Sequence, residues 1–157
     1  MLSLPNGTLL VLTPLSGFAS MQLTPYSARG LTQTLELIKP GGQDSWLRRD
    51  VNGVLRSVVD TRFRKYRSTI TCSDGETPCL DDAWIGITVD VDCAFELSYP
   101  TGAADSPARP VVPGSTPRVV GTVTYYRPRL LMMVEDIRFG NKEWQALYDW
   151  QIDLLEK

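Results

Sequence analysis

The chain has 157 residues, a formal charge of −2, 43% hydrophobic and 22% charged residues, and no histidine. That size suits one domain with a real core, and the balance argues against a disordered, collagenous or membrane-spanning chain while giving no basic surplus for nucleic acid. Without histidine the commonest general base and neutral metal ligand is missing, so any catalysis would fall to carboxylates, Cys, Lys or Tyr.

Residues 1–21 read as an extended N-terminal arm and 22–157 as a single β-rich domain. The arm is apolar at Leu9, Leu10, Val11 and Leu12 and again at Phe18, but Pro14 and Gly17 break it. It falls far short of the roughly 20 residues of a membrane span. No Lys or Arg precedes Arg29, so the basic region that opens a signal peptide is missing. Such an arm is expected to dock on its own core or on a neighbouring subunit.

Beyond it, strand signals dominate. Leu31 to Ile38 places Leu31, Leu35 and Leu37 opposite Thr32, Thr34 and Glu36, with Gln33 as the one mismatch. Gly53 to Asp60 and Tyr66 to Cys72 are shorter β-type runs. Ile87 to Tyr99 alternates most clearly. Val89, Val91, Cys93, Phe95, Leu97 and Tyr99 take one face, and Asp90, Asp92 and Glu96 join Thr88 and Ser98 on the other. An acidic solvent or lumen face of Asp90, Asp92 and Glu96 is therefore expected.

Residues 100–117 carry five of the eleven prolines and form a long loop, in which Val111 and Val112 lie between Pro110 and Pro113. So long a connection is typically functional, and these two valines join Leu9, Leu10, Val11, Leu12 and Phe18 as expected subunit-interface residues. The run from Arg118 to Phe139 predicts two strands divided near Arg127 and Pro128, since proline is expelled from central ladders. The tail fits both a helical stripe and a strand. Asn141 is a suitable cap, and the expectation is one short helix near 141–147, then a strand to about 155. Six or seven strands separated by turns make the fold class mainly β, an antiparallel β-sandwich or barrel with one short helix near the C-terminus.

All three cysteines lie between Thr71 and Cys93, among aspartates. Zinc is disfavoured by the spacing and the missing histidine. Calcium is disfavoured because Asp74, Glu76, Asp81 and Asp82 lack the order of a helix-loop-helix calcium loop. Cys93 belongs to the apolar face of its strand, where a thiol behaves as a small hydrophobe. Cys72 and Cys79 flank turn chemistry and form a candidate disulfide, subject to the redox compartment. Asp90 and Asp92 satisfy the spacing of a carboxylate pair but share one environment, so a solvated strand face is the simpler reading. The basic and aromatic run from Arg62 to Arg67 reads first as a solvated strand or turn.

The stretches LTPYSARGLTQTLELI, FRKYRSTITCSD, VDVDCAFELSYPTG and TYYRPRLLMMVEDIRF resemble small virion structural proteins of tailed bacteriophages, of the kind found among tail and baseplate components. The resemblance implies a β-sandwich or barrel subunit without catalysis or cofactor, assembled in the host cytoplasm into the virion. Its partners would be copies of itself in a ring and other virion proteins. Contact with passing DNA would be at most non-specific, and no membrane would be involved. The alternative is a small ligand- or carbohydrate-binding β-domain, with carboxylate-based hydrolase activity or without it, using Trp46, Trp84, Trp144 or Trp150 as stacking surfaces.

Overall fold

A computed structural model describes residues 11–14, 31–38, 47–58, 64–74, 83–103, 107–145 and 147–157. These contain strands β1 Val11–Pro14, β2 Thr32–Leu37, β3 Leu47–Arg49, β4 Leu55–Ser57, β5 Tyr66–Asp74, β6 Thr88–Asp92, β7 Leu97–Pro100, β8 Arg118–Val120, β9 Val123–Tyr126, β10 Arg129–Lys142 and β11 Leu147–Glu156. The first, sixth, tenth, eleventh, fifth and second strands form, in that order, one six-stranded antiparallel sheet. A second sheet has the order β7-β9-β8, and β3 pairs only with β4. The chain is mainly β and antiparallel, and the large sheet is a curled half-barrel.

The curl has one local cause and one long-range contact that spans it. A register shift between Val134 and Asp136 bulges β10 against β11, and a bulge bends its strand and increases the twist. In addition, Gln33 on β2 accepts a hydrogen bond at 3.1 Å from the amide of Ala94, which follows β6. Four strand spacings separate β2 from β6, roughly 19 Å if the sheet were flat. The contact forms only because the sheet wraps round its own inner face. Gln33, the polar mismatch of its strand, is thus the residue that spans the curl, with Ser68 Oγ as its second partner at 3.2 Å.

The core fills that inner face. Ile70 and Cys72 from β5, Val89 and Val91 from β6 with Cys93, Leu130, Met132 and Val134 from β10, and Trp150, Ile152 and Leu154 from β11 make one buried cluster. Each central strand donates alternate residues to it, as the period of two requires.

Two expectations are corrected. The helix near 141–147 is only a 3-10 turn, Glu143–Gln145. Asn141 and Lys142 remain in the ladder opposite Tyr148 and Leu147, so the segment is the tip of the β10–β11 hairpin and has no room for a helix. The Ile87 to Tyr99 run is not one strand either. It leaves the large sheet after Asp92 and joins the small one at Leu97, which leaves Phe95 46% exposed although its spacing marks it as core. The Arg118 to Phe139 run divides at Arg127 and Pro128 as expected, and once more at Gly121, whose φ of 59° suits the tight β8–β9 turn.

Candidate functional site

Among the described residues no three His, Cys, Asp or Glu side chains group to hold a metal ion. Among the described residues no helix is long and apolar enough to cross a membrane. An open trough of about 560 Å³ lies at one end of the large sheet. Its lining includes Phe139 and Trp150, paired across the strands on one face, and Arg138 and Gln151, paired on the other. It wraps round the strands and encloses no cleft. The surfaces marked out by the sequence and by exposure are therefore the place to look for function.

Of the expected interface residues, Leu9, Leu10 and Phe18 lie outside the described residues. Val11 and Leu12 belong to β1, whose backbone pairs with Asp92 and Val91 of β6. The middle of the arm therefore adds a strand to its own domain and becomes one edge of the large sheet, with β2 as the other among the described strands.

The proline-rich loop is clasped to its own chain. The Val112 amide donates to Arg127 O at 2.9 Å and the Arg129 amide to Pro110 O at 2.8 Å, while Val111 forms a bridge with Pro128. Val112 is buried, at 7% exposure, and Val111 is half-buried. Arg109 is the clasp. Its Nη2 donates to Arg64 O at 2.6 Å and to Glu156 Oε2 at 3.2 Å. Its Nε sits 2.7 Å from Glu156 Oε1 but off the line of the N–H, so that contact is ionic. The guanidinium also lies over the Tyr66 ring, 5.5 Å from its centroid. Glu156 in turn accepts the Tyr66 amide at 2.8 Å. Val112 is consequently part of the chain's own packing, which the loop's length and composition did not reveal.

The acidic face is divided. Asp90 is half-buried across from Leu131 and makes no ion pair among the described residues. Glu96 is exposed and pairs with Arg118 at 3.0 Å. Asp92 is not a solvent residue: it is 8% exposed. The register sets it opposite Arg129, which donates from Nε at 2.5 Å and Nη2 at 2.8 Å in a two-pronged pair. Alternation placed Asp90 and Asp92 on the same face correctly, but the facing strand decided what covers each.

Cys72 is buried on β5, and its candidate partner Cys79 lies outside the described residues. Cys93 is fully buried, and burial pushes its thiol up to about 11, Gln33 opposing the shift with a hydrogen bond. Such a thiol is a poor nucleophile. Of the four tryptophans, Trp46 lies outside the described residues, Trp84 and Trp144 are 76% and 100% exposed, and Trp150 is buried at 2% with its indole N–H unbonded among the described residues. Trp150 is therefore core and offers no stacking surface.

The sequence reading placed a β-type run at Gly53 to Asp60, which holds β4, but missed β3 and the hairpin the two form. Its turn is well built: the Gly53 amide donates to Asp50 O at 2.9 Å, and Gly53 has a φ of 77°. This is a β-turn closed by a left-handed glycine. The Asp50 carboxylate accepts the amides of Asn52 and Val54 and the Arg56 Nε. The Asp-Val-Asn-Gly signal was present, but each strand is only three residues long, too short for a period to show. Compared with protein-family models, curated proteins and solved structures, the chain matches none.

Proposed function

We propose that this chain is a non-enzymatic structural subunit of a phage particle, a tail component of the tube, distal or baseplate kind that assembles with copies of itself into a ring. The observation that carries the reading is the open-edged half-barrel. Among the described strands its edges are β1 and β2, which present backbone groups at both sides of the sheet, and such edges are either blunted or used for pairing. The arm supplies β1, so the element expected from sequence to serve assembly is the one that forms an edge. The resemblance of the strand segments to small tail and baseplate proteins supplies the setting. Of the two carboxylates that the hydrolase alternative would use, Asp92 is held by Arg129.

Negative-stain microscopy together with sedimentation velocity of the purified full chain tests the reading. Ordered rings or tubes are expected. A chain that stays monomeric at submillimolar concentration and binds carbohydrate saturably, with loss of binding in Trp84→Ala or Trp144→Ala, would replace it with the ligand-binding alternative.

A further inference from the structure

The hairpin of β3 and β4 is organised within itself, and among the described strands each of the two pairs only with the other. Residues 47–58 are exposed apart from the half-buried Asp50. Leu47, Val54, Leu55 and Val58 are 43–60% exposed, and Val51 at the tip is fully so, at 101%. An isolated two-stranded hairpin is marginal in water and gains stability when a surface packs against it. The register adds a second oddity, because Arg48 stands directly opposite Arg56. Like charges at facing positions destabilise a pair of strands. Arg56 is relieved by Asp50 at 3.0 Å, whereas Arg48 has no ion pair among the described residues. On the face that carries Arg48 and Arg56, to which Val54 and Val58 alternate, exposed apolar side chains beside an arginine with no ion pair among the described residues describe a surface shaped for an acidic, partly apolar partner.

The same molecule carries such a surface. Three arginines against one aspartate give residues 47–58 a charge of +2, so with −2 overall the remaining chain carries −4. On the outer face of the large sheet, Leu131 and Met133 are 39% and 37% exposed, although they lie two apart on a central strand. Asp90, across from Leu131, makes no ion pair among the described residues, although its charge is felt by Arg129 on the same face. This patch therefore matches the hairpin in both respects, apolar against apolar and carboxylate against guanidinium.

We infer that the β3–β4 hairpin is a docking arm that seats on the outer face of a second copy of this chain, over Leu131 and Met133, with Arg48 directed to Asp90. Hairpin and patch are different surfaces, so the contact is head-to-tail and repeats from copy to copy, closing into a ring when the rotation allows. The inference rests on the assembly reading and names the contact that would carry it.

The test uses the full chain and sedimentation velocity. Arg48→Glu alone and Asp90→Arg alone are each expected to weaken association about tenfold by setting like charges together, and the double variant to recover most of it. Val54→Ser, on the Arg48 face of the hairpin, and Met133→Ser should weaken it as well, each with the circular dichroism of the parent. As a second readout, Arg48→Cys mixed with Asp90→Cys should give a disulfide-linked dimer of the two variants under mild oxidation. If the parent assembles and the single charge reversals leave association unchanged, the docking contact is wrong and the assembly reading stands. If the double variant fails to recover while both singles are weakened, the assigned pairing is wrong. A parent chain that stays monomeric overturns both the contact and the reading beneath it. Loss of polyanion binding in Arg48→Glu with unchanged association would make the hairpin a nucleic-acid element and overturn the inference.

Discussion

Asp92→Asn is the substitution on which sequence and structure disagree most usefully. On a solvated strand face it would fall within about 0.5 kcal/mol of neutral. The structure gives a different magnitude. Asp92 is 8% exposed, and its two oxygens take the Nε and Nη2 of Arg129 at 2.5 and 2.8 Å. Hydrogen bonds to charged groups contribute about 1.5–3 kcal/mol, and breaking a buried ion pair costs about 3–5 kcal/mol because a charge is left uncompensated. The Arg129 side chain keeps 32% of its surface in water, so solvent would recover part of that charge. The expected cost is thus about 2–3 kcal/mol, a drop of roughly 4–12 °C in unfolding midpoint for a domain of this size. Asp90→Asn, on the same face of the same strand, is the internal control and should stay within about 0.5 kcal/mol of the parent. Both would be measured by urea denaturation followed by circular dichroism, at a dilution where the chain does not associate. Equal midpoints for the two variants would refute the argument that the facing arginine sets the cost, and a cycle with Arg129→Ala should show strong coupling to Asp92 only.

Four further outcomes are expected. Burial raises the Cys93 thiol from 9.0 to about 11, so the folded state holds a proton that the unfolded state has lost between these values. Its contribution is complete below pH 9 and is lost as pH rises to 11, about 3 kcal/mol in all, and Cys93→Ala should lack this share of the alkaline decline in denaturation curves. Cys93→Asp should cost several kcal/mol, since it buries an unpaired carboxylate where exposure is 0%; a folded variant with the parent's midpoint would contradict the inner-face assignment. Arg109→Ala should unclasp the proline-rich loop, seen as faster proteolysis between residues 103 and 117 and a loss of about 2 kcal/mol, because Glu156 keeps only 8% side-chain exposure and would lose its cation. Removal of residues 1–20 should strip β1 from β6 and leave a new open edge, read as aggregation or altered particle size with the core cluster still folded, whereas complete unfolding would make the arm a core element.

The sequence by itself determined the mainly β class of the fold and the inward face of β6. Val89 and Val91 alternate with Thr88, Asp90 and Asp92, and a period of two allows only one assignment once one face must be dry, whereas the unbroken apolar run Leu130 to Val134 carries no such signal. The sequence also marked Gln33 as the exception in its strand, and the proline-rich loop as something other than regular structure. Long-range register decided the rest. Asp90 and Asp92 are indistinguishable in sequence, yet one faces Leu131 and the other Arg129, 37 positions further along the chain, so the second is buried and paired. The tail could satisfy a helical stripe or a strand until β10 on one side and β5 on the other claimed its backbone as β11. Phe95 kept its period but lost its core, because the chain changes sheets between Asp92 and Leu97. Val112, apolar and flanked by prolines, was free to belong to any surface until Arg109 and Glu156 fixed the loop to its own domain. Periodicity is a property of neighbours in the chain and survives in the sequence, whereas which strand lies opposite is settled only when distant segments compete for the same edges and the same buried volume.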